Sequence, residues 1–147
     1  MTNEEFKALQ RSIEDIQLLI SELCQRMPYG IKLQKCGEED TVYKLYSINL
    51  ENHEICYWAY QGKALSIGEC GKIHRYRIPK YKPYLIAMSS MTEEQLTEYH
   101  ELMVSDCMGI LYNTPKSIEW LIKNHFDYQG LIPLGLAIDA TGLGIYD

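Results

Sequence analysis

The stretch Lys82-Pro83-Tyr84-Leu85-Ile86-Ala87-Met88-Ser89-Ser90-Met91-Thr92-Glu93-Glu94-Gln95-Leu96 divides this chain into a strand-like part and a helical part. Thr92 and Gln95 have the spacing of a capping box, in which each side chain bonds a free backbone N–H at a helix start. Met91 and Leu96 fall at the positions of a hydrophobic staple. The stretch therefore predicts that a helix begins at Thr92.

A second helix is predicted over residues 2–27, where Thr2 and Glu5 form another capping box and Pro28 ends the helix. Its apolar residues recur in alternating steps of three and four, which is the heptad seam of a coiled coil. The seam comprises Phe6, Leu9, Ile13, Ile16, Ile20, Leu23 and Met27. Two interpretations stay open: the seam packs on the protein's own sheet, or it pairs with a partner helix, most simply that of a second copy.

Between this helix and the opening stretch, residues 31–79 predict an antiparallel meander of four or five short strands. Strict alternation over 42–50 places Tyr46 and Ile48 on one face and Leu45 and Ser47 on the other. Gly68 and Gly71 indicate a bulge or a bend. A meander of this kind can curl into a small open barrel, and the sequence leaves that closure open.

Residues 92–125 are predicted to be helical. The first helix of this part is expected to bury Leu96, Tyr99, Leu102 and Met103. After a connection over 105–113, Thr114 and Pro115 predict a second start, with Ile118, Leu121 and Ile122 as its buried stripe. Residues 126–147 form an apolar tail interrupted by Gly and Pro, which should cover the core. The predicted fold is a single α+β domain over 1–147.

The net charge is −6, and the excess of acidic residues lies in the part after Lys82. A nucleic-acid surface would therefore have to lie in the first part of the chain. No apolar run is long enough to cross a membrane, and the acidic N-terminus does not have the pattern of a signal peptide. These observations predict a cytoplasmic protein.

The five cysteines are Cys24, Cys36, Cys56, Cys70 and Cys107. Their odd number and wide spacing, without a C-x-x-C pair, predict free thiols in a reducing compartment rather than a disulfide framework. Cys70 and His74, with Cys56 and His53 nearby, match no recognised metal-binding pattern. We expect no metal site and no cofactor.

Basic and aromatic residues interleave over 72–84, which is the most specific local pattern in the chain. Cations for phosphates and rings for stacking are what single-stranded nucleic acid requires. The candidate contacts are Lys72, Arg75, Tyr76, Arg77, Lys80 and Lys82. The simpler interpretation is a solvated strand edge protected from pairing by its charges.

No established catalytic or phosphate-binding motif is present. The run His125-Phe126-Asp127-Tyr128 brings three reactive side chains together. Its simpler interpretation is a helix end, with Phe126 in the core and Asp127 or Tyr128 bonding the backbone. We therefore predict no catalytic residues.

Two stretches, 82–94 (KPYLIAMSSMTEE) and 118–140 (IEWLIKNHFDYQGLIPLGLAIDA), resemble a family of small uncharacterised proteins of gut Bacteroidales. Members of that family are often found in phage-like or mobile regions. The family more often has Arg-Pro in place of Ile86-Ala87, and Arg in place of Gln129. The resemblance implies a shared fold and carries over no functional residue.

Together these observations predict a non-catalytic interaction or assembly protein of phage or mobile-element origin, with itself as the simplest partner through the first helix. The alternative prediction is a nucleic-acid-binding module that uses the strand around 72–84.

Overall fold

The computed structural model describes residues 1–61, 64–73 and 80–147. It confirms the predicted α+β class, with a long N-terminal helix, a mostly antiparallel sheet and two further helices. The elements are α1 (Asn3–Arg26), a 3₁₀ turn (Met27–Tyr29), β1 (Lys32–Lys35), β2 (Glu38–Asn49), β3 (Glu54–Gln61), β4 (Ala64–Lys72), β5 (Tyr81–Leu85), a 3₁₀ turn (Met88–Ser90), α2 (Glu93–Leu102), β6 (Val104–Ser105), β7 (Leu111–Tyr112), α3 (Pro115–Lys123) and β8 (Ile138–Asp139).

The main sheet has the strand order β4-β3-β2-β1-β5-β8. Its first four strands form the predicted antiparallel meander, and β5 returns to pair with β1, where Leu33 lies opposite Pro83. Strand β8 pairs with β5 in parallel. Within the described ranges β4 and β8 are the two edges, and no pairing between them closes a barrel. Most of the strand predicted over 73–78 lies outside the described residues.

A β-bulge interrupts β2 between Leu45 and Ser47, which pair with Tyr57 and Cys56. Strict alternation along this strand was therefore a wrong prediction. The extra residue moves Ile48 to the same face as Leu45, where it packs against the core. Ser47 moves to the outer face, opposite Cys56.

The main core lies between the second half of α1 and the inner face of the sheet. Leu19 and Leu23 of α1 are fully buried, as are Leu45 and Ile55 of the sheet. The C-terminal tail covers this core, as the sequence predicted. The tail side chains buried in this core are Leu131, Leu136 and Ala137.

Gly71 of β4 is required by a close approach of the neighbouring chain. A Cβ at this position would overlap the hydroxyl group of Tyr81. That hydroxyl lies 3.0 Å from the hydroxyl of Tyr57 in the core. The predicted bulge in this strand pair is present beside Gly68, because Leu65 to Gly68 of β4 spans one residue more than the facing Trp58 to Tyr60 of β3.

A second hydrophobic cluster joins α2 and α3 around Tyr99, Leu121 and Phe126. The ring of Trp120 stacks at 5.7 Å on both Tyr99 and Phe126. The predicted burial of Leu96 was wrong, since this side chain is 43% exposed. Met91 and Met103, which flank α2 in the chain, pack on the cluster instead.

The connection predicted over 105–113 contains a small antiparallel hairpin formed by β6 and β7. Gly109 takes the left-handed conformation in its turn, with φ of 81°. The carboxylate of Asp106 accepts the backbone N–H groups of Met108 and Ile110.

None of the described helices combines the length and apolar composition that a membrane crossing requires.

Candidate functional site

A continuous groove, here named the α1 groove, runs along the exposed side of α1 towards the turn between β2 and β3. It consists of two adjoining cavities of about 290 and 300 Å³, and both are lined by Ile13 and Gln17. The apolar lining comes from Phe6, Leu9, Ile13, Ile16, Ile20 and Leu50. Residues 6 to 24 span about 27 Å of helix at roughly 1.5 Å per residue, so the groove has the length of an extended helix contact.

The predicted heptad seam is shared between the core and this groove. Ile16 and Leu23 are 2% and 0% exposed, and Met27 also packs on the core. Ile13 and Ile20 are only partly buried, and Phe6 is 58% exposed. Phe6, Leu9 and Ile13 near the start of the seam therefore line the groove, whereas Leu23 and Met27 at its end pack on the core. Ile16 and Ile20 between them contact both.

The groove carries little charge. Among the described side chains that line it, Glu14 is the only carboxylate, and none is Lys or Arg. Burial raises the pKa of the Cys24 thiol at its inner end, which favours the neutral form. An apolar floor with neutral polar edges is typical of the core of a protein interface.

The basic residues predicted to contact nucleic acid are described only in part. Lys72 and Lys80 are exposed, whereas Lys82 is partly buried and lies opposite Gln34 on β1. Arg75, Tyr76 and Arg77 lie outside the described residues. Binding of nucleic acid by this run therefore stays a prediction.

A buried ion pair, which the sequence analysis did not identify, links α1 to the C-terminal part of the chain. The guanidinium of Arg26 lies 2.8 Å from the carboxylate of Glu22, and both side chains are almost fully buried. Arg26 also donates to the carbonyl oxygen of Phe126 and lies over the ring of Tyr128. Its Nη1 atom has no hydrogen-bond partner among the described residues.

His125 lies beside this ion pair and ends α3 in the left-handed conformation, with φ of 63°. Its ring stacks on that of Tyr146 with centroids 3.5 Å apart. Burial, and then the positive charges of Arg26 and Lys32, lower the pKa of His125 to about 4. The imidazole is therefore neutral at physiological pH.

The remainder of the run 125–128 has the structural role that the simpler interpretation predicted. Phe126 is 1% exposed in the second cluster. The carboxylate of Asp127 accepts the backbone N–H groups of Leu131 and Ile132. The hydroxyl of Tyr146 donates to the carbonyl of Tyr84. This arrangement fixes the C-terminal tail on the sheet.

A cleft of about 420 Å³ lies between the start of α2 and the C-terminal residues. Three of its polar side chains form hydrogen bonds with the local backbone. Ser90 donates to the carbonyl of Ala87, Thr141 accepts the N–H of Ala87, and Gln95 accepts the N–H of Thr92. The prediction that the protein is not an enzyme stays a prediction.

Cys56 and Cys70 form a disulfide between neighbouring strands β3 and β4. The prediction that all five cysteines are free thiols was therefore wrong. Spacing along the chain cannot show this pairing, because it depends on the register that places Cys56 directly opposite Cys70. Cys24, Cys36 and Cys107 are free.

The buried ion pair and the disulfide differ in how far the sequence could have revealed them. Glu22 and Arg26 lie three and seven residues after Leu19, so they share its helix face. A charged pair at i, i+4 on a buried face indicates a buried ion pair. The cysteine pair left no such local signal.

A second apolar surface is the hairpin formed by β6 and β7. Val104, Met108, Ile110, Leu111 and Tyr112 are each between 41% and 81% exposed. None of the cavities described here is lined by residues of this hairpin.

The fold and these surfaces define an α+β protein with an apolar groove along its first helix. The chain matches no profile of a known family, no curated protein and no solved structure.

Proposed function

We propose that this protein is a non-catalytic interaction or assembly protein that pairs with a second copy of itself through the α1 groove. The division of the heptad seam supports this proposal most strongly. Phe6 and Ile13 are not part of the chain's own core, and Ile20, which packs against the core, is only partly buried. Apolar surface of this kind gains free energy when a partner removes it from water.

The charge of the groove favours a second copy over a charged partner. In a two-fold interface the same surface meets itself, so a surface rich in one sign of charge would repel its copy. The α1 groove has only the carboxylate of Glu14 among its described lining residues, while the whole chain carries −6. A nearly neutral apolar surface on an acidic protein is suited to self-pairing.

The pairing is expected to be weak and concentration-dependent. The residues that line the groove are fewer than the roughly 20–30 residues a side of a standard interface. A complex of this size forms and dissociates readily. An assembly role through repeated weak contacts is consistent with that size.

Light scattering over a range of protein concentrations tests this proposal. The native chain is expected to shift towards twice the monomer mass at high concentration, and Ile13→Glu is expected to remain a monomer. Arg11→Gln, outside the groove on the same helix, makes the same change in net charge and should behave like the native chain. A native chain that stays monomeric at every concentration would remove the proposal. Deletion of 1–27 is unsuitable because Leu19 and Leu23 belong to the core.

The phage or mobile-element origin and the cytoplasmic location are further parts of this proposal. The origin is supported by the resemblance of 82–94 and 118–140 to the Bacteroidales family.

The alternative function, nucleic-acid binding by 72–84, is supported by the exposure of Lys72 and Lys80. A salt titration of oligonucleotide binding tests it. Phosphate contacts are strongest at low salt, so no binding at about 50 mM salt would exclude this function.

A further inference from the structure

The disulfide between Cys56 and Cys70 lies on the outer face of the sheet, away from the core. Ile55 and Tyr57, the neighbours of Cys56 in β3, are buried on the inner face. Side chains alternate along a strand, so Cys56 points outward. Cys56 is partly buried and Cys70 is exposed. A dithiol in solution can therefore reach the sulfur atoms.

Glu54 completes a group of three potential ligands on this face. It precedes Cys56 by two residues in β3, so both side chains point to the same side of the sheet. One carboxylate oxygen and the two sulfur atoms all lie within 4.8 Å of one another. Lys72 is the register partner of Glu54 and is exposed to solvent, so its charge near the group is screened by water.

We propose that the reduced protein binds a thiophilic divalent cation such as Zn²⁺ through Cys56, Cys70 and Glu54. Two thiolates select a soft or borderline metal ion over Mg²⁺ or Ca²⁺, which prefer oxygen ligands. Three protein ligands leave the fourth tetrahedral position to water. The disulfide form contains no thiolate at Cys56 or Cys70, so oxidation prevents metal binding.

The positions of the two cysteines suit this geometry. Their Cα atoms are 4.1 Å apart across the strand pair. Zinc–sulfur bonds of about 2.3 Å at a tetrahedral angle place two sulfur atoms roughly 3.8 Å apart. Rotation about the Cα–Cβ bonds gives that separation after reduction, without a change in strand register. The site is therefore formed by the sheet itself.

The redox step is a thiol–disulfide exchange with a dithiol reductant. The sulfur–sulfur bond between Cys56 and Cys70 breaks, and two electrons and two protons pass to it from the dithiol, which becomes a disulfide. Binding of Zn²⁺ then releases the two thiol protons to water. Oxidation by a low-molecular-weight disulfide reverses the first step and releases the metal.

Zinc titration of the full-length protein, before and after reduction and removal of the reductant, tests this inference. We expect about one Zn²⁺ per chain in the reduced protein and none in the oxidised protein. Substitution of Co²⁺ should give the absorption of a cobalt–thiolate bond. A reduced protein that binds no Zn²⁺, or whose cobalt complex lacks this absorption, would overturn the proposal.

Matched variants locate the metal. Cys70→Ser should abolish binding, and Glu54→Gln should weaken it at least about tenfold, since even outer-shell changes at metal sites have effects of that size. Cys36→Ser and Cys107→Ser, which alter exposed free thiols, should bind as the native chain does. Binding that depends on Cys36 or Cys107, or that is unchanged in Glu54→Gln, would contradict the proposed ligand set. The Glu54 variant keeps both cysteines, so it remains informative if a cysteine variant fails to fold.

Discussion

The Nη2 atom of Arg26 donates a hydrogen bond of 2.7 Å to the carbonyl oxygen of Phe126, a residue one hundred positions further along the chain. This contact joins the end of α1 to the second cluster beside α3. Glu22 balances the charge of Arg26 inside the core at 2.8 Å. The N-terminal helix and the part of the chain after α3 are therefore held together by a buried charged group as well as by apolar packing.

Removing one partner of this ion pair should strongly destabilise the protein. Glu22→Leu and Arg26→Met each leave an unpaired charge in the core, and we expect each to lower the free energy of unfolding by about 3–5 kcal/mol. The double variant, which leaves no charge, should lose less than the sum of the two.

Urea unfolding of the native chain, the two single variants and the double variant measures the effect. Arg11→Met is the matched control because Arg11 is exposed on the same helix, and a surface change of this kind stays within about 0.5 kcal/mol. Single variants that cost no more than this control would contradict the assigned role of the ion pair.

The stability of the protein should fall as the pH is lowered from 6.5 to 4. The pKa of His125 is about 4 in the folded protein, against 6.5 for a free histidine. Between these values the unfolded chain binds a proton that the folded chain does not, so acid favours unfolding. His125→Asn should flatten this part of the profile, and Asn tolerates the left-handed backbone at this position.

Urea unfolding at several pH values checks this difference. His100→Gln alters an exposed histidine and serves as the control that should keep the native profile. If the His125 variant and the native chain lose stability in parallel between pH 6.5 and 4, the role assigned to His125 is incorrect.

Reduction of the Cys56–Cys70 disulfide should destabilise the metal-free protein by about 3 kcal/mol. The bond closes a short loop, with a sequence separation of 14, and restricts the unfolded chain accordingly. The bond also attaches the edge strand β4 to β3. Unfolding with and without a dithiol, in the presence of a chelator, measures the difference.

Thiol counting on the denatured chain supplies the control for this prediction. Three thiols should react before reduction and five after it. Five reactive thiols in a protein purified without reductant and protected from exchange would show that the bond does not form under those conditions.

The capping box at the start of α2 should contribute measurably to stability. The hydroxyl of Thr92 accepts the N–H of Gln95 at 3.1 Å, and Gln95 accepts the N–H of Thr92 at 2.9 Å. Thr92→Ala is expected to cost about 1 kcal/mol. Thr97→Ala, within the same helix and exposed, should cost less; equal losses would show that the cap is not the cause.

Features that depend on neighbouring residues were predictable from the sequence. The capping boxes at Thr2 and Thr92 are present, and so is the start of α3 at Pro115. Each depends on hydrogen bonds between residues three or four positions apart, so the spacing in the sequence is sufficient. The covering role of the tail followed from its apolar composition for a similar reason.

Features that depend on register or on distant contacts were not predictable. The bulge beside Leu45 changes which residues face the core, and the disulfide requires the pairing of β3 with β4. The groove needs the tertiary packing that buries Ile16 and leaves Ile13 partly exposed. The heptad pattern indicated apolar side chains along α1, but it could not show which of them pack on the core and which line the groove.

Methyl NMR spectra of the isoleucine residues, recorded from dilute to concentrated protein, test self-pairing through the α1 groove most directly. Ile13 and Ile20 line the groove, Ile55 is buried in the core, and Ile110 lies on the exposed hairpin. We expect concentration-dependent shifts at Ile13 and Ile20, with Ile55 and Ile110 unchanged. Spectra that do not change with concentration, or that change at Ile110 while Ile13 and Ile20 stay constant, would contradict self-pairing through this groove.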